Sequence, residues 1–278
     1  MTELAYAKIN LYLDCIGKRE DGYHELVSVM HTISMADIVT VTPSDGIHIT
    51  CSDPDIPTDE RNIAYKCAAA YMDAFGTGGA DIHIEKHIPS QAGLGGGSAD
   101  GAAVLRAMHS IYGAVLDGNV VDGDGLDALI HTAAGCGADI PFCLVGGAAL
   151  CEGIGERMTP LLPMDGAVIV AKGQAGISTP AAYRLIDALP ETEHMTAAEV
   201  VRRYSDGSLP LYNIFEQTGT VPDVERIKDI LGPRSLMTGS GSAVFAPVSD
   251  RAYAEDMVRV LRGEGFLAGI YDLTGEII

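Results

Sequence analysis

At 278 residues the chain exceeds an average single domain, so two domains are expected, and an apolar content of 47% supplies ample core. Its 38 acidic residues against 18 basic ones give a formal charge of −20, a field that repels nucleic acid and anionic membrane and excludes both as partners. The same charge works against an anionic nucleotide, so any phosphate site must rely on local lysines, backbone amides and a divalent cation.

No stretch of about 20 uninterrupted apolar residues exists to span a membrane. The richest candidate, residues 128–151, is interrupted by His131, Asp139 and Pro141. The chain opens Met1-Thr2-Glu3 without a basic-then-apolar leader. Its six cysteines show no CxxC spacing and no histidine cluster, which fits free, mostly buried thiols in a reducing cytoplasm. The expectation is a cytoplasmic protein acting on a small molecule, with no obligate protein partner evident.

In chain order, residues 5–17 read as a strand of period two. Ala7, Ile9, Leu11, Leu13 and Cys15 fall on one face, and Tyr6, Lys8, Asn10, Tyr12 and Asp14 on the other, so Lys8 and Asn10 point the same way. A loop punctuated by Gly17 and Asp21-Gly22 carries Tyr23 and His24. Residues 38–42 and 47–50 flank Ser44-Asp45-Gly46, a hairpin signal. Helices are expected over 62–75, from Ser98 to 112, and over 124–134, with a strand over 81–86. In the second half, strands are expected at 167–171, 235–238, 243–247 and 266–273. Helices are expected at 179–189, 196–204, 221–231 and 251–262. With the helices at 179–204 set aside, the order is β-α-β-β-α-β, the split pattern of a ferredoxin-like sandwich. Pro160 and Pro163 mark the seam, giving domains at 1–161 and 162–278.

The most informative segment runs from His87 to Asp100 and holds Gly93, Leu94, Gly95, Gly96, Gly97 and Ser98. Phosphates approach a backbone closely only where side chains are absent, and a following helix start adds unpaired N–H groups. The loop is not a P-loop, because Ser98-Ala99 follows the last glycine where Lys-Ser or Lys-Thr is required. Nor is it the dinucleotide fingerprint, since Ser98 takes the place of the last glycine. Asp139, between Gly137-Ala138 and Ile140-Pro141, is either a capping aspartate or a poorly solvated carboxylate in need of a cation. Lys8 is the candidate partner. A second glycine-rich turn, Thr238-Gly239-Ser240-Gly241, can close over phosphates or acceptor. Neither loop spells the nucleophile elbow G-x-S-x-G, which disfavours a hydrolase.

Taken together, Ala7-Lys8-Ile9-Asn10-Leu11, Gly17-Lys18-Arg19 with Asp21-Gly22-Tyr23-His24, the glycine loop, Gly137-Ala138-Asp139-Ile140-Pro141, Glu152-Gly153-Ile154-Gly155-Glu156 and Thr238-Gly239-Ser240-Gly241 form an ordered set. It resembles the galactokinase, homoserine kinase, mevalonate kinase and phosphomevalonate kinase (GHMP) superfamily nearly end to end. The Gly17–His24 segment narrows this to the kinases of 4-diphosphocytidyl-2-C-methyl-D-erythritol in the non-mevalonate isoprenoid route.

The resemblance implies an α+β, two-domain fold, an N-terminal ribosomal-S5-like domain and a C-terminal ferredoxin-like domain. It implies transfer of the ATP γ-phosphoryl group to an alcohol, with Mg²⁺ neutralising phosphate charge. Asp139 would take the hydroxyl proton, and Lys8 would stabilise Asp139 and the developing oxyanion. The glycine loop with Ser98 would hold the phosphates, and Asn62 and Lys86 would approach the adenosine half. Tyr23 and His24 would meet the cytosine with Tyr183 on its opposite face, and Asn10 would lie near the acceptor hydroxyls. Two departures from the family are Ala99, where serine is common, and Gly101, where alanine is usual. Gly101 is expected to cost up to ~1 kcal/mol of helix propensity. A mevalonate-type kinase is the nearest rival, followed by a nucleotide-cofactor oxidoreductase and a non-catalytic nucleotide binder.

Overall fold

The computed structural model describes residues 1–113, 115–116, 119–120, 125–190 and 193–275. Residue 124, the expected start of the third helix, lies outside them. The first half is built on a long hairpin, β1 (Thr2–Lys18) against β2 (His24–Ser44). It continues through β3 (Ile47–Cys51), α1 (Ile63–Phe75), β4 (Gly79–Glu85), α2 (Gly96–Tyr112) and the short pair β5 (Val115–Leu116) and β6 (Asn119–Val120). Then come α3 (Leu126–Cys136), α4 (Ile140–Val145), β7 (Ala148–Gly153) and β8 (Arg157–Leu161). The second half runs β9 (Ala167–Lys172), α5 (Thr179–Ile186), α6 (Ala197–Ser205), β10 (Tyr212–Asn213), a 3₁₀ turn (Ile214–Thr218) and α7 (Pro222–Leu231). It ends with β11 (Leu236–Met237), β12 (Val244–Pro247), α8 (Arg251–Gly263) and β13 (Leu267–Asp272).

Two sheets carry the molecule. The first is seven-stranded, with the order β10-β1-β2-β4-β3 and with β7 joining β2 to β8. Helix α2 packs on β1 and β2 between α1 and α4, and α3 rests on α1 and α4. The second sheet is antiparallel in the order β11-β12-β9-β13 with α7 and α8 packed on it, which is the ferredoxin-like arrangement the element order implied. The fold is α+β. Among the described residues no helix is long and apolar enough to cross a membrane.

Three local expectations change. The β2–β3 hairpin does not form: β4 inserts between the two strands, pairing antiparallel with β2 and parallel with β3. The chain can pass over the start of β4 because a Cβ at Gly79 would lie only 2.2 Å from Gly46 O. The period-two alternation of β1 also fails partway. Bulges between Tyr6 and Lys8 and between Asn10 and Tyr12 shift the register, a usual effect of one extra residue. Ala7, Ile9, Leu11 and Tyr12 therefore enter the first core, while Leu13 and Cys15 enter a second core with Leu26, Ile169 and Phe215. Third, the segment with α6 and β10 returns to the first half: Tyr212 and Asn213 pair in parallel with β1, and Val200 is buried in the first core.

Gly101 has a packing reason that helix propensity does not register. A Cβ there would sit 2.7 Å from Cys67 Sγ and 3.0 Å from Ile63 Cγ2, so the missing side chain sets how closely α1 and α2 approach.

Candidate active site

Between the two halves lies a cavity of about 1390 Å³. Its walls include Lys8, the glycine loop, Asp139, the turn from Gly239 to Gly241, and Tyr23, His24 and Tyr183. At its centre Lys8 Nζ stands 3.5 Å from Asp139 Oδ2, so the two groups that the sequence left apart do meet. Asp139 occupies the N-cap position of α4, yet its side chain makes no capping hydrogen bond. The carboxylate is 30% exposed and faces the cavity, while its neighbours Ile140, Phe142 and Cys143 take the apolar environment instead. The expected poor solvation of Asp139 therefore belongs to its neighbours. Gly155 packs against it, with a virtual Cβ 3.6 Å from Asp139 Oδ1, which ties in the Glu152–Glu156 segment.

Lys8 is only 6% exposed and its ammonium is held in place. Nζ donates to Asn10 Oδ1 at 2.8 Å, and Asn10 Nδ2 donates to Ser28 Oγ at 2.9 Å. Asn10 Oδ1 also accepts from Gly239 N at 3.1 Å, and Asn10 N donates to Thr238 Oγ1 at 3.0 Å. The Asn10 amide is thus spent on bracing Lys8 and the second glycine turn. Thr238 is fully buried with its hydroxyl shared between Asn10 and Gly93 O, so it braces the loops and does not reach an acceptor. Ser240 bonds Thr179 at the start of α5 through the two hydroxyls, 2.7 Å apart.

The glycine loop is stitched down on both sides. Leu94 O accepts from Lys8 N at 3.0 Å, and Ala92 O accepts from Ala243 N at 3.0 Å. Gly93 has φ +73, and a Cβ there would fall 2.0 Å from Thr238 O, so no other residue fits. Helix α2 begins at Gly96 with Gly95 as N-cap, not at Ser98. Ser98 is the third helical residue, half-buried on the cavity wall, and no side chain caps the first turn. The opening N–H groups and the positive end of the helix dipole are therefore left for an anion.

Lys86 and Asn62 line one end of this cavity, but both are already committed. Lys86 Nζ is bound to Asp37 and, at 2.7 Å, to Asp100 Oδ2. The other Asp37 oxygen accepts from His87 N and Ile88 N, fixing the chain as it leaves β4 for the glycine loop. Burial, reinforced by the nearby Asp37 carboxylate and opposed by Lys86, pushes Asp100 up to about 7. Burial pulls Lys86 down, and the two carboxylates outweigh it, so its net shift is upward. Asp100 Oδ1 is buried with no hydrogen-bond partner. Asn62 caps α1, accepting from Ala64 N at 2.9 Å and donating to Pro57 O at 2.7 Å, so it shapes the wall through the loop it fixes. Sequence reasoning missed Asp37 and gave Asp100 no role. An aspartate on the inner face of a strand was the available signal. Lys172, which lines the cavity and is 7% exposed, was missed because it looks like a strand terminus.

At the other end, His24 and Tyr183 stack directly, with ring centroids 4.7 Å apart and planes 19° apart. That spacing leaves no room for a base between them, so the sandwich expected from the resemblance is shut in this conformation. Asp187 holds the pair closed: its carboxylate is 2.7 Å from His24 Nε2 and 2.5 Å from Lys18 Nζ. These two contacts lower its pKa. Tyr23, by contrast, is 60% exposed at the mouth.

Comparison with known proteins agrees with this geometry. Residues 62–147 match the GHMP kinases N terminal domain. The chain is 41% identical over 275 residues to the 4-diphosphocytidyl-2-C-methyl-D-erythritol kinase of Caldicellulosiruptor saccharolyticus, covering 92% of each protein. A crystal structure of 4-(cytidine 5'-diphospho)-2C-methyl-D-erythritol kinase superposes with a TM-score of 0.80 at 34% identity, over 99% of this chain and 100% of that one. A mevalonate kinase shares the fold at a TM-score of 0.68 and 13% identity, over 99% of this chain and 100% of that one. These matches run over nearly the whole chain, and the chain belongs to the 4-diphosphocytidyl-2-C-methyl-D-erythritol kinase family of GHMP kinases.

Proposed function

We propose that this kinase transfers the γ-phosphoryl group of ATP to the 2-hydroxyl of 4-diphosphocytidyl-2-C-methyl-D-erythritol, with Asp139 as the proton acceptor. The observation that carries this is the Lys8–Asp139 pair, set between an anion-ready helix start and an aromatic pocket in a single cavity. Phosphoryl transfer depends on positioning and electrostatics, and both are supplied by groups already held in place. Asp139 takes the hydroxyl proton as the oxygen attacks. Lys8, braced by Asn10, offsets the charge that grows on that oxygen. The N–H groups opening α2 and the loop Gly93–Gly97 receive the triphosphate, and the Lys86 end takes the adenosine.

Among the described residues no three His, Cys, Asp or Glu side chains converge on a metal cage. That suits Mg²⁺ arriving with the triphosphate, since this ion usually takes one or two protein ligands plus phosphate oxygens. The Ser98 hydroxyl would hold it, and its charge would screen the phosphates against the acidic background. At the acceptor end the cytosine enters once the His24 and Tyr183 rings part, with Tyr23 and His24 on one face and Tyr183 on the other. A division at residue 161 separates the nucleotide-binding half from the ferredoxin-like half, with the α6–β10 segment crossing back.

The test is ADP release from Mg-ATP with the cytidyl substrate, with mevalonate, and with neither. The expected result is release only with the cytidyl substrate, with phosphate found on its 2-hydroxyl by phosphorus NMR. Release with mevalonate instead would assign the site to the other branch of the superfamily.

A further inference from the structure

We propose that Lys172 is a phosphate-binding cation of the cavity, reaching the phosphate chain of a bound nucleotide from the second half of the molecule. This rests on the kinase reading above, since it adds a contact within that same site.

Lys172 ends β9 and lines the cavity at 7% exposure. The other lysines of the wall are each paired with carboxylate: Lys8 with Asp139, Lys18 with Asp187, and Lys86 with Asp37 and Asp100. Among the described residues no carboxylate lies within ion-pair distance of Lys172, and its ammonium donates to Gly173 O at 3.0 Å. An ammonium carries three donors, so two remain for a ligand. Asp223 is the nearby carboxylate, but its Oδ2 accepts from Ala175 N at 3.2 Å and presses on Gly173, where a Cβ would fall 2.1 Å away. Burial outweighs the Asp223 charge and lowers the Lys172 pKa. A buried charge without a counter-ion is costly, and a chain with 38 acidic residues has counter-ions to spare. A wall that leaves this ammonium unpaired is one whose anion arrives as a ligand.

The topology places that ammonium beside the glycine loop. Along β9, Val168 and Val170 enter the first core while Ile169 and Ala171 enter the second, so Lys172 continues the row facing the first half. Ala171 pairs with Val244, which sets Lys172 one step on, beside Ala243. Ala243 N in turn donates to Ala92 O at 3.0 Å. The segment after Lys172 meets the same loop. A Cβ at Gly176 would fall 2.2 Å from Gln91 Oε1, and the Ser242 hydroxyl donates to Ala175 O. This adjacency makes the ATP triphosphate the expected source of the phosphate. The acceptor carries a diphosphate of the same chemistry, and the experiment separates the two.

Parent, Lys172→Met and Lys172→Arg are compared by calorimetric titration with ADP, cytidine 5'-diphosphate and adenosine, beside thermal unfolding without ligand. In Lys172→Met the ADP affinity should fall at least about tenfold, the loss of one charge-assisted contact. Adenosine, which carries no phosphate, should bind parent and variant within about twofold. Lys172→Arg restores the charge and should recover ADP affinity to within about threefold of the parent. Ligand-free Lys172→Met should melt no lower than the parent, because an unpaired buried charge has been removed. A tenfold loss for cytidine 5'-diphosphate with ADP unchanged would keep the phosphate contact and move it to the acceptor's chain. Unchanged affinity for both diphosphates would overturn the proposal. So would equal losses for ADP and adenosine with a lower midpoint, the mark of a structural lysine. Either result in a parent that turns over substrate leaves the kinase reading standing, whereas a parent that binds no nucleotide ends both.

Discussion

The two ends of the cavity are built by opposite means. The nucleotide end is fixed before any ligand arrives: glycines lock the loop, backbone hydrogen bonds hold it from both sides, and Lys86 is clamped by two buried carboxylates. The acceptor end consists of long, partly exposed side chains that satisfy one another, with His24 on Tyr183 and Asp187 bridging His24 and Lys18. A rigid phosphate site avoids an ordering cost on binding, whereas the acceptor must break existing contacts before it can stack. The difference teaches that acceptor affinity depends on opening these contacts, while ATP affinity depends on the loop keeping its shape.

The largest effect is expected where the fixed end is struck. Gly93→Ala puts a methyl into Thr238 O at a positive φ, so folding stability should fall by about 2 kcal/mol or more, with ATP binding lost. Denaturant titration and nucleotide titration check this, and a variant that folds and binds normally would show that the loop is not rigid. His24→Ala should raise the acceptor KM about tenfold through lost ring contacts while leaving the ATP KM within about twofold. Equal changes in both would erase the distinction between the ends.

Gly101→Ala comes next. Sequence alone promises a gain of up to ~1 kcal/mol in helix propensity. The crowding against Cys67 and Ile63 predicts a net loss instead, read as a lower thermal midpoint. The smallest effect concerns pH. Asp100 ionises near 3.8 when unfolded and near about 7 when folded, so between those values the folded state holds the extra proton. Stability from this group therefore falls as pH rises from about 4 to about 7. Asp100→Asn should flatten that part of the midpoint-against-pH curve, and an unchanged slope would remove Asp100 from the account.

Much of this was legible in the residue order. The ferredoxin-like half follows from the spacing of its strands and helices, and the glycine loop declares itself by composition. The meeting of Lys8 with Asp139 was anticipated because an aspartate on an apolar turn needs a cation. What escaped had physical reasons. Bulges in β1 reset which face each residue serves, and alternation carries no mark of them. The β2–β3 hairpin signal was local and correct as a turn, but it could not reveal that β4 would come between the strands. Asn62 and Thr238 are polar residues beside a site, and only packing shows that their polar atoms are consumed within the protein. The direct stacking of His24 on Tyr183 joins residues 159 positions apart, beyond any sequence pattern.

The most direct test of the central claim is the single-turnover rate of Asp139→Asn with Mg-ATP and the cytidyl substrate, beside its ATP dissociation constant. Asp139 as the base predicts a rate at least about a hundredfold lower, in the range of a lost general base, with ATP affinity within about threefold of the parent. A rate near that of the parent would contradict it and leave Lys8 and the helix start to perform the transfer without Asp139.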